Sequence, residues 1–462
     1  MAIHFSKRIV IFVAAAIIGG FGSFQVGYAG VNPVQMINES RCRAGAFLGR
    51  TNAPGALVAD APSAANSSQA TDSESDTALT IQQPVTTSGP NLIPNPGVET
   101  LSAGNPTSWY NNHTGNNNAR FTQVLGHDSG RALRIDITDF KDGTADWFTG
   151  LTSVQPNGYY QFSDYYRSNV TTHVTLQFKD DQGNQRYYSL GTIPSSTNWT
   201  QYTVRFAVPG NVHQAMVSHT LDRAGALETD DYSLQAATPS AQFKQPLVSI
   251  TFDDGWESAH ANALPIMKQY GVVSTQYIVT GILGTKGYET ASDIYDFRNA
   301  GHEIASHTLT HPDLTKQNDK QLGTELTIPH NAISKCYNPA TDFAAPYGTY
   351  NVRTTTAIKG LYQTARSTDT GLNTADHFNP YELKVVNMSV NTTPQQLQGW
   401  LDAAKANHAW LILVYHQVDT SGSPFSRNNV DFAHDMQKVV ASGISVKTVH
   451  DAYAELQPQL KH

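Results

Sequence analysis

Two different rhythms of apolar and polar positions divide this chain. Between residues 91 and 236, short runs alternate with period two. Examples are Arg131-Ala132-Leu133-Arg134-Ile135-Asp136-Ile137, Tyr159-Tyr160-Gln161-Phe162-Ser163, Val174-Thr175-Leu176-Gln177-Phe178 and Tyr202-Thr203-Val204-Arg205-Phe206. Breaks such as Pro156-Asn157-Gly158 and Asp181-Gln182-Gly183 punctuate them. A strand turns successive side chains to opposite faces, so this rhythm predicts an antiparallel β-sandwich. From 247 to the end the rhythm changes. Apolar runs at 247–252, 274–279, 303–306, 342–345, 362–367, 383–390, 410–415 and 444–449 alternate with amphipathic stretches such as 259–269, 290–299, 395–406 and 431–441. Strands alternating with helices predict a (β/α) barrel over 247–462, distorted or incomplete, with active-site groups at the C-terminal strand ends.

The remaining segments read as connections. Lys7 and Arg8 precede an apolar run over 9–18, and no further charge occurs before Glu39. That predicts a signal peptide or membrane anchor over 1–29, hence an exported protein, secreted or tethered to the envelope. Residues 51–90 hold neither Lys, Arg nor any aromatic residue. Such a stretch cannot bury enough surface to offset its ordering entropy, which makes 30–90 a flexible linker. A Pro/Ser/Gln junction at 237–246 is read as a second, short linker.

Composition narrows the partners. Only 15% of residues are charged, 10% are aromatic, and 30 Lys+Arg face 38 Asp+Glu for a net charge of -8. A nucleic-acid binder carries a basic stripe, so that class is excluded. A membrane is reached only through the N-terminal segment. Two cysteines, Cys42 and Cys336, without a CxxC pair supply neither a disulfide framework nor a Cys-based zinc site. Cys336 is read as a small buried residue.

Four motifs carry chemistry, each at a predicted strand end. The first is Thr251-Phe252-Asp253-Asp254-Gly255, whose adjacent carboxylates repel unless one binds a cation and the other serves as a base. The second is His307-Thr308-Leu309-Thr310-His311, two imidazoles spaced to grip one ion. The third is Phe343-Ala344-Ala345-Pro346-Tyr347-Gly348, and the fourth is the apolar run Leu411-Ile412-Leu413-Val414-Tyr415 ending in His416, an acid/base candidate. Two His and one carboxylate leave coordination positions open for water and substrate.

In this order the motifs resemble the polysaccharide deacetylases of carbohydrate esterase family 4, the NodB-like domain. The resemblance implies that Asp254, His307 and His311 bind a divalent metal, zinc first and cobalt as the alternative. It further implies Asp253 as general base, His416 as general acid, the Tyr347 N–H as oxyanion donor, and Pro346 with Tyr347 as substrate-binding residues. One position departs from the family pattern: its motif arginine is Ala344 here. Arg366, on the next strand, is the candidate replacement, and Asp369 is a candidate partner for His416. The implied reaction is removal of N-acetyl groups from an N-acetylglucosamine-containing polysaccharide such as chitin-like chains, peptidoglycan or poly-N-acetylglucosamine. The alternatives are O-deacetylation of a xylan-type polymer and a non-catalytic carbohydrate-binding surface protein.

The earlier region resembles galactose-binding-like jelly-roll carbohydrate-binding modules, through Asn91-Leu92-Ile93-Pro94-Asn95-Pro96-Gly97-Val98-Glu99 at one end and Thr229-Asp230-Asp231-Tyr232-Ser233-Leu234 at the other. That resemblance implies a structural calcium near Glu99 and Asp231. Trp109, Trp147, Tyr187, Tyr188 and Trp199 are candidates either for a sugar-stacking platform or for the core.

Overall fold

The computed structural model describes residues 81–82, 86–128 and 130–460. The signal or anchor expected over 1–29, Cys42 and most of the linker expected over 30–90 lie outside the described residues. Among the described residues no helix is long and apolar enough to cross a membrane.

The period-two segment forms two antiparallel sheets. One runs in the order Ser196–Ala207, Tyr159–Ser168, Gly225–Thr238, Arg131–Phe140, Asn117–Leu125; the other runs Gln185–Ile193, Thr172–Asp180, Val212–Leu221, Thr144–Phe148, Tyr110–Thr114. Phe162 and Phe206 from the first sheet and Leu176, Phe178 and Val217 from the second share one core. Trp109 and Trp147 are buried in that core, so neither offers a face to a sugar. A buried chain of hydrogen bonds crosses between the sheets: Asp164 Oδ2 lies 2.7 Å from His219 Nδ1, and His219 Nε2 lies 2.7 Å from Thr172 Oγ1.

Both expected linkers end in ordered structure. Thr86–Ser88 adds a strand to Gly225–Thr238, pairing with Ala236, Ala237 and Thr238 on the edge that Arg131–Phe140 does not reach. In the second junction Phe243 is buried against Phe378, with ring centroids 5.9 Å apart. An aromatic side chain there pins the crossing onto the barrel.

Seven parallel strands make the barrel: β1 (Leu247–Asp254), β2 (Thr275–Ile278), β3 (Glu303–Ser306), β4 (Asp342–Ala344), β5 (Thr364–Thr370), β6 (Leu383–Asn387) and β7 (Trp410–Tyr415). β1 pairs with β7 along most of its length and closes the ring onto β2 through Thr251, Phe252, Asp253 and Asp254. The eighth strand expected at 444–449 is only the two-residue Ser445–Val446. It pairs with Leu247 and Val248, the half of β1 that β2 leaves uncovered, so the ring needs no eighth full strand.

Helix starts follow the sequence closely. Thr290, Asn318, Asn351 and Thr393 each accept a hydrogen bond from the third backbone N–H of the helix that follows, satisfying one of its unpaired donors. Cys336 ends the helix Asp319–Cys336 and is buried as expected, but it is disulfide-bonded, which corrects its reading as a simple core thiol. The sheets and the barrel meet along a buried seam. There the Tyr159 hydroxyl donates to Asp376 at 3.2 Å, and Arg205 sits 3.5 Å from the same carboxylate.

Candidate active site at the barrel mouth

All four motifs converge at the C-terminal end of the barrel. Asp253 and Asp254 close β1, and His307 follows β3 directly. Ala344 ends β4, and His416 follows β7. The backbone there is bent into conformations that side chains disfavour. Asp254 (φ 72°), Thr308 (φ 71°), His311 (φ 63°) and Tyr347 (φ 58°) all lie in the left-handed region. Such strain costs about 1–3 kcal/mol per residue and persists only where surrounding structure holds it. At Gly348 (φ 69°) a side chain would collide with Thr368, so this turn requires glycine.

The candidate metal ligands point at one another. Asp254 Oδ1 lies 3.5 Å from His307 Nε2 and 3.4 Å from His311 Nε2. With bonds of about 2.0–2.1 Å, tetrahedral ligands stand roughly 3.3–3.4 Å apart, so these separations fit a zinc-sized ion. Two of the three ligands are oriented from behind. His307 Nδ1 bonds the Ala344 carbonyl at 2.8 Å, which turns Nε2 toward the cluster. Burial, opposed by Asp253 and Asp254, lowers the His307 pKa to about 4, so the imidazole is neutral and free to ligate at neutral pH. Trp256 Nε1 donates to Asp254 Oδ2 at 3.0 Å.

Asp253 faces the barrel interior and is buried. Arg366, also buried, donates to it through Nη2, and its guanidinium lies 4.7 Å from the Tyr277 ring. The register explains how: Ala344 on β4 is the direct neighbour of Arg366 on β5. Burial works to raise the Asp253 pKa, but the Arg366 guanidinium beside it outweighs burial and holds the carboxyl below its ordinary range. His416 Nε2 stands 3.8 Å from Asp253 Oδ2, and the Phe425 ring packs 5.0 Å from the imidazole. The buried His416 Nδ1 has no hydrogen-bond partner among the described residues. Asp369, read as a partner for His416, is engaged elsewhere: it accepts from Ser189 at 2.9 Å and from Tyr350 at 3.0 Å.

Pro346 and Tyr347 form the turn after β4, with Tyr347 64% exposed and its ring 4.7 Å from His311. The turn's own bonds run from Gly348 N to Ala345 O and from Thr349 N to Pro346 O, passing over the Tyr347 N–H. Glu99 and Asp231 lie apart from this site, in the two-sheet region. Glu99 accepts from Arg131 N at 2.6 Å, and Asp231 Oδ2 lies 3.0 Å from His127 Nδ1.

Three supporting residues escaped the sequence reading. Glu325 accepts from Leu309 N and Thr310 N at 3.0 and 2.9 Å and so fixes the loop between the two histidines. Its signal was available, an acid on the apolar stripe of Leu322, Leu326 and Pro329. Trp256 follows the Asp-Asp motif by two residues and gave none. Glu289 is buried behind Gly255, its carboxyl without a hydrogen-bond partner among the described residues, and burial holds its pKa well above the carboxylate range.

The site is thus a parallel (β/α) barrel with a His₂Asp cluster in its mouth that could hold a metal ion. Residues 240–365 match the polysaccharide deacetylase family model. The chain is 27% identical over 186 residues to YxkH of Bacillus subtilis (strain 168), covering 38% of this chain and 66% of that protein. It is 32% identical over 119 residues to a chitooligosaccharide deacetylase of Bradyrhizobium sp. (strain ANU 289), covering 25% of this chain and 52% of that one. Among solved structures, the Xyl-CE4 domain of a multidomain xylanase from the hindgut metagenome of Trinervitermes trinervoides aligns with a TM-score of 0.36 and 21% identity, over 46% of this chain and 92% of that one. The chain thus spans just under two thirds of one curated relative and about half of the other.

Proposed function

We propose that the chain is an exported, metal-dependent deacetylase that hydrolyses N-acetyl groups on an N-acetylglucosamine-containing polysaccharide. The observation that carries this is the convergence of Asp254, His307 and His311 beside the Asp253–Arg366 pair and His416. Asp254, His307 and His311 would hold the ion, which when bound polarises the acetyl carbonyl and lowers the pKa of water. Asp253, kept ionised by Arg366, accepts the proton of the attacking water. His416 delivers a proton to the departing amine nitrogen, which leaves poorly without one. The Tyr347 N–H, left unused by its own turn, donates to the oxygen that gains charge. Pro346 fixes that turn against the substrate.

The chitooligosaccharide deacetylase among the relatives supports an N-acetylated substrate. We assign zinc first and cobalt second from the N₂O donor set. The two-sheet region is read as a carbohydrate-binding module, with calcium between Glu99 and Asp231, whose side chains both lie beside Gly97. Acetate release from N-acetylglucosamine oligomers, peptidoglycan and acetylated xylan tests the assignment. Release from the first two, abolished by a chelator and restored by zinc or cobalt, is the expected result. Release from xylan alone would replace it with O-deacetylation, and release from none would leave a binding protein.

A further inference from the structure

The two-sheet region touches the barrel at its mouth. Gln185–Ile193 is the edge strand of its sheet, and two of its side chains reach mouth loops. Arg186 Nη2 donates to the carbonyl of Asn391 at 2.7 Å, beyond the end of β6. Ser189 Oγ donates to Asp369 at 2.9 Å, three residues past Arg366 on β5. The first anchor leads on to the site: Val390 N donates to Pro424 O, and the next residue, Phe425, packs on His416. The second anchor is braced by Tyr350, which shares Asp369.

Tyr187 stands between these anchors. Alternation puts it on the same face of the strand as Ser189, and it is 64% exposed. Its neighbour Tyr188 turns the other way and packs against Trp400, with ring centroids 6.2 Å apart. Phe425, 51% exposed, packs on His416, and the exposed Tyr347 packs on His311, so both rings stand at the mouth that the two anchors reach. Large apolar side chains left bare mark binding surfaces, and Phe425 and Tyr347 stand directly beside the imidazoles of the site. Flat rings match the C–H faces of pyranoses, whereas a lone acetyl group needs none of this surface.

Resting on the deacetylase reading above, we infer that the edge strand Gln185–Ile193 forms one wall of the substrate cleft, with Tyr187 stacking on a sugar ring beyond the one being deacetylated. The two-sheet region then acts within the active site, selecting long chains over short ones, rather than as a remote tether. The test uses the full chain and compares kcat/KM for the N-acetylglucosamine hexamer and dimer. Y187A should lower the hexamer-to-dimer ratio about five- to tenfold, through KM for the hexamer rather than kcat, and Y187W should restore it. The exposed position of Tyr187 leaves folding unaffected, which the Y187W rescue checks directly. An unchanged ratio in Y187A, with active wild type, overturns this inference alone. A wild type that releases no acetate from either oligomer overturns the deacetylase reading and this inference with it.

Discussion

The two ends of the barrel are built from the same residue types and put them to opposite uses. At the floor, the first residues of four successive strands, Thr275, Glu303, Asp342 and Thr364, lock together. Thr275 Oγ1 donates to Glu303 at 2.8 Å and accepts from Val449 N, while Thr364 Oγ1 donates to Asp342 at 2.5 Å. Burial, then the neighbouring Asp342, raises Glu303 well above the ordinary carboxyl range, so it keeps its proton. Burial also acts to raise Asp342, but hydrogen bonds from His450, Glu303, Thr341 and Thr364 prevail and lower it. Glu303 Oε2 and both Asp342 oxygens there close on hydrogen-bond donors. At the mouth, Asp254, His307 and His311 aim lone pairs at a common point, and four residues sit in left-handed backbone. The lesson is that a cluster of acids and imidazoles signals chemistry when its lone pairs stay unspent and its backbone is strained.

The largest test of that contrast lies in the paired aspartates. Asp254→Ala should abolish zinc binding measured by calorimetry and reduce acetate release to background. Asp253→Asn should bind zinc within a few-fold of wild type while turnover falls by about 10²–10⁴. Equal loss of metal in both variants would dissolve the division of labour between them.

Arg366→Ala is expected to act next most strongly, because it strips the partner from a buried carboxylate. Removing one member of a buried pair costs about 3–5 kcal/mol, so a lower Tm should accompany the loss of activity. Arg366→Lys should recover stability better than turnover, since a point charge cannot reproduce the planar fork. Near-wild-type activity in Arg366→Ala would remove Arg366 from the site.

How much of this was legible in the sequence follows from which interactions are local. The strand-end motifs could be read because β1 and β7 are apolar runs that stop abruptly at chemistry-bearing residues. Arg366 could be proposed because neighbouring parallel strands bring equivalent positions side by side, and Ala344 lies opposite it. The seven-strand closure could not, because Ser445–Val446 has the composition of a strand and is short only in its pairing. The link between Ser189 and Asp369 spans 180 residues and leaves no local trace. Tyr187 and Trp109 look equivalent in the sequence, and only packing separates an exposed rim residue from a core one.

The smallest effect belongs to the floor and concerns pH. His302 Nδ1 accepts from Ser274 N at 2.9 Å, a bond available only to the neutral ring. Burial, helped by Lys268, lowers its pKa from 6.5 to about 4. The folded protein therefore stays neutral at His302 where the unfolded chain takes up a proton. Its contribution is complete above pH 6.5 and is lost as pH falls toward about 4, with an upper bound of about 3 kcal/mol. His302→Gln should be less stable than wild type at pH 7.5, by denaturant titration, and should lose less on acidification to pH 5. A parallel decline of the two proteins would mean that the floor does not hold His302 neutral.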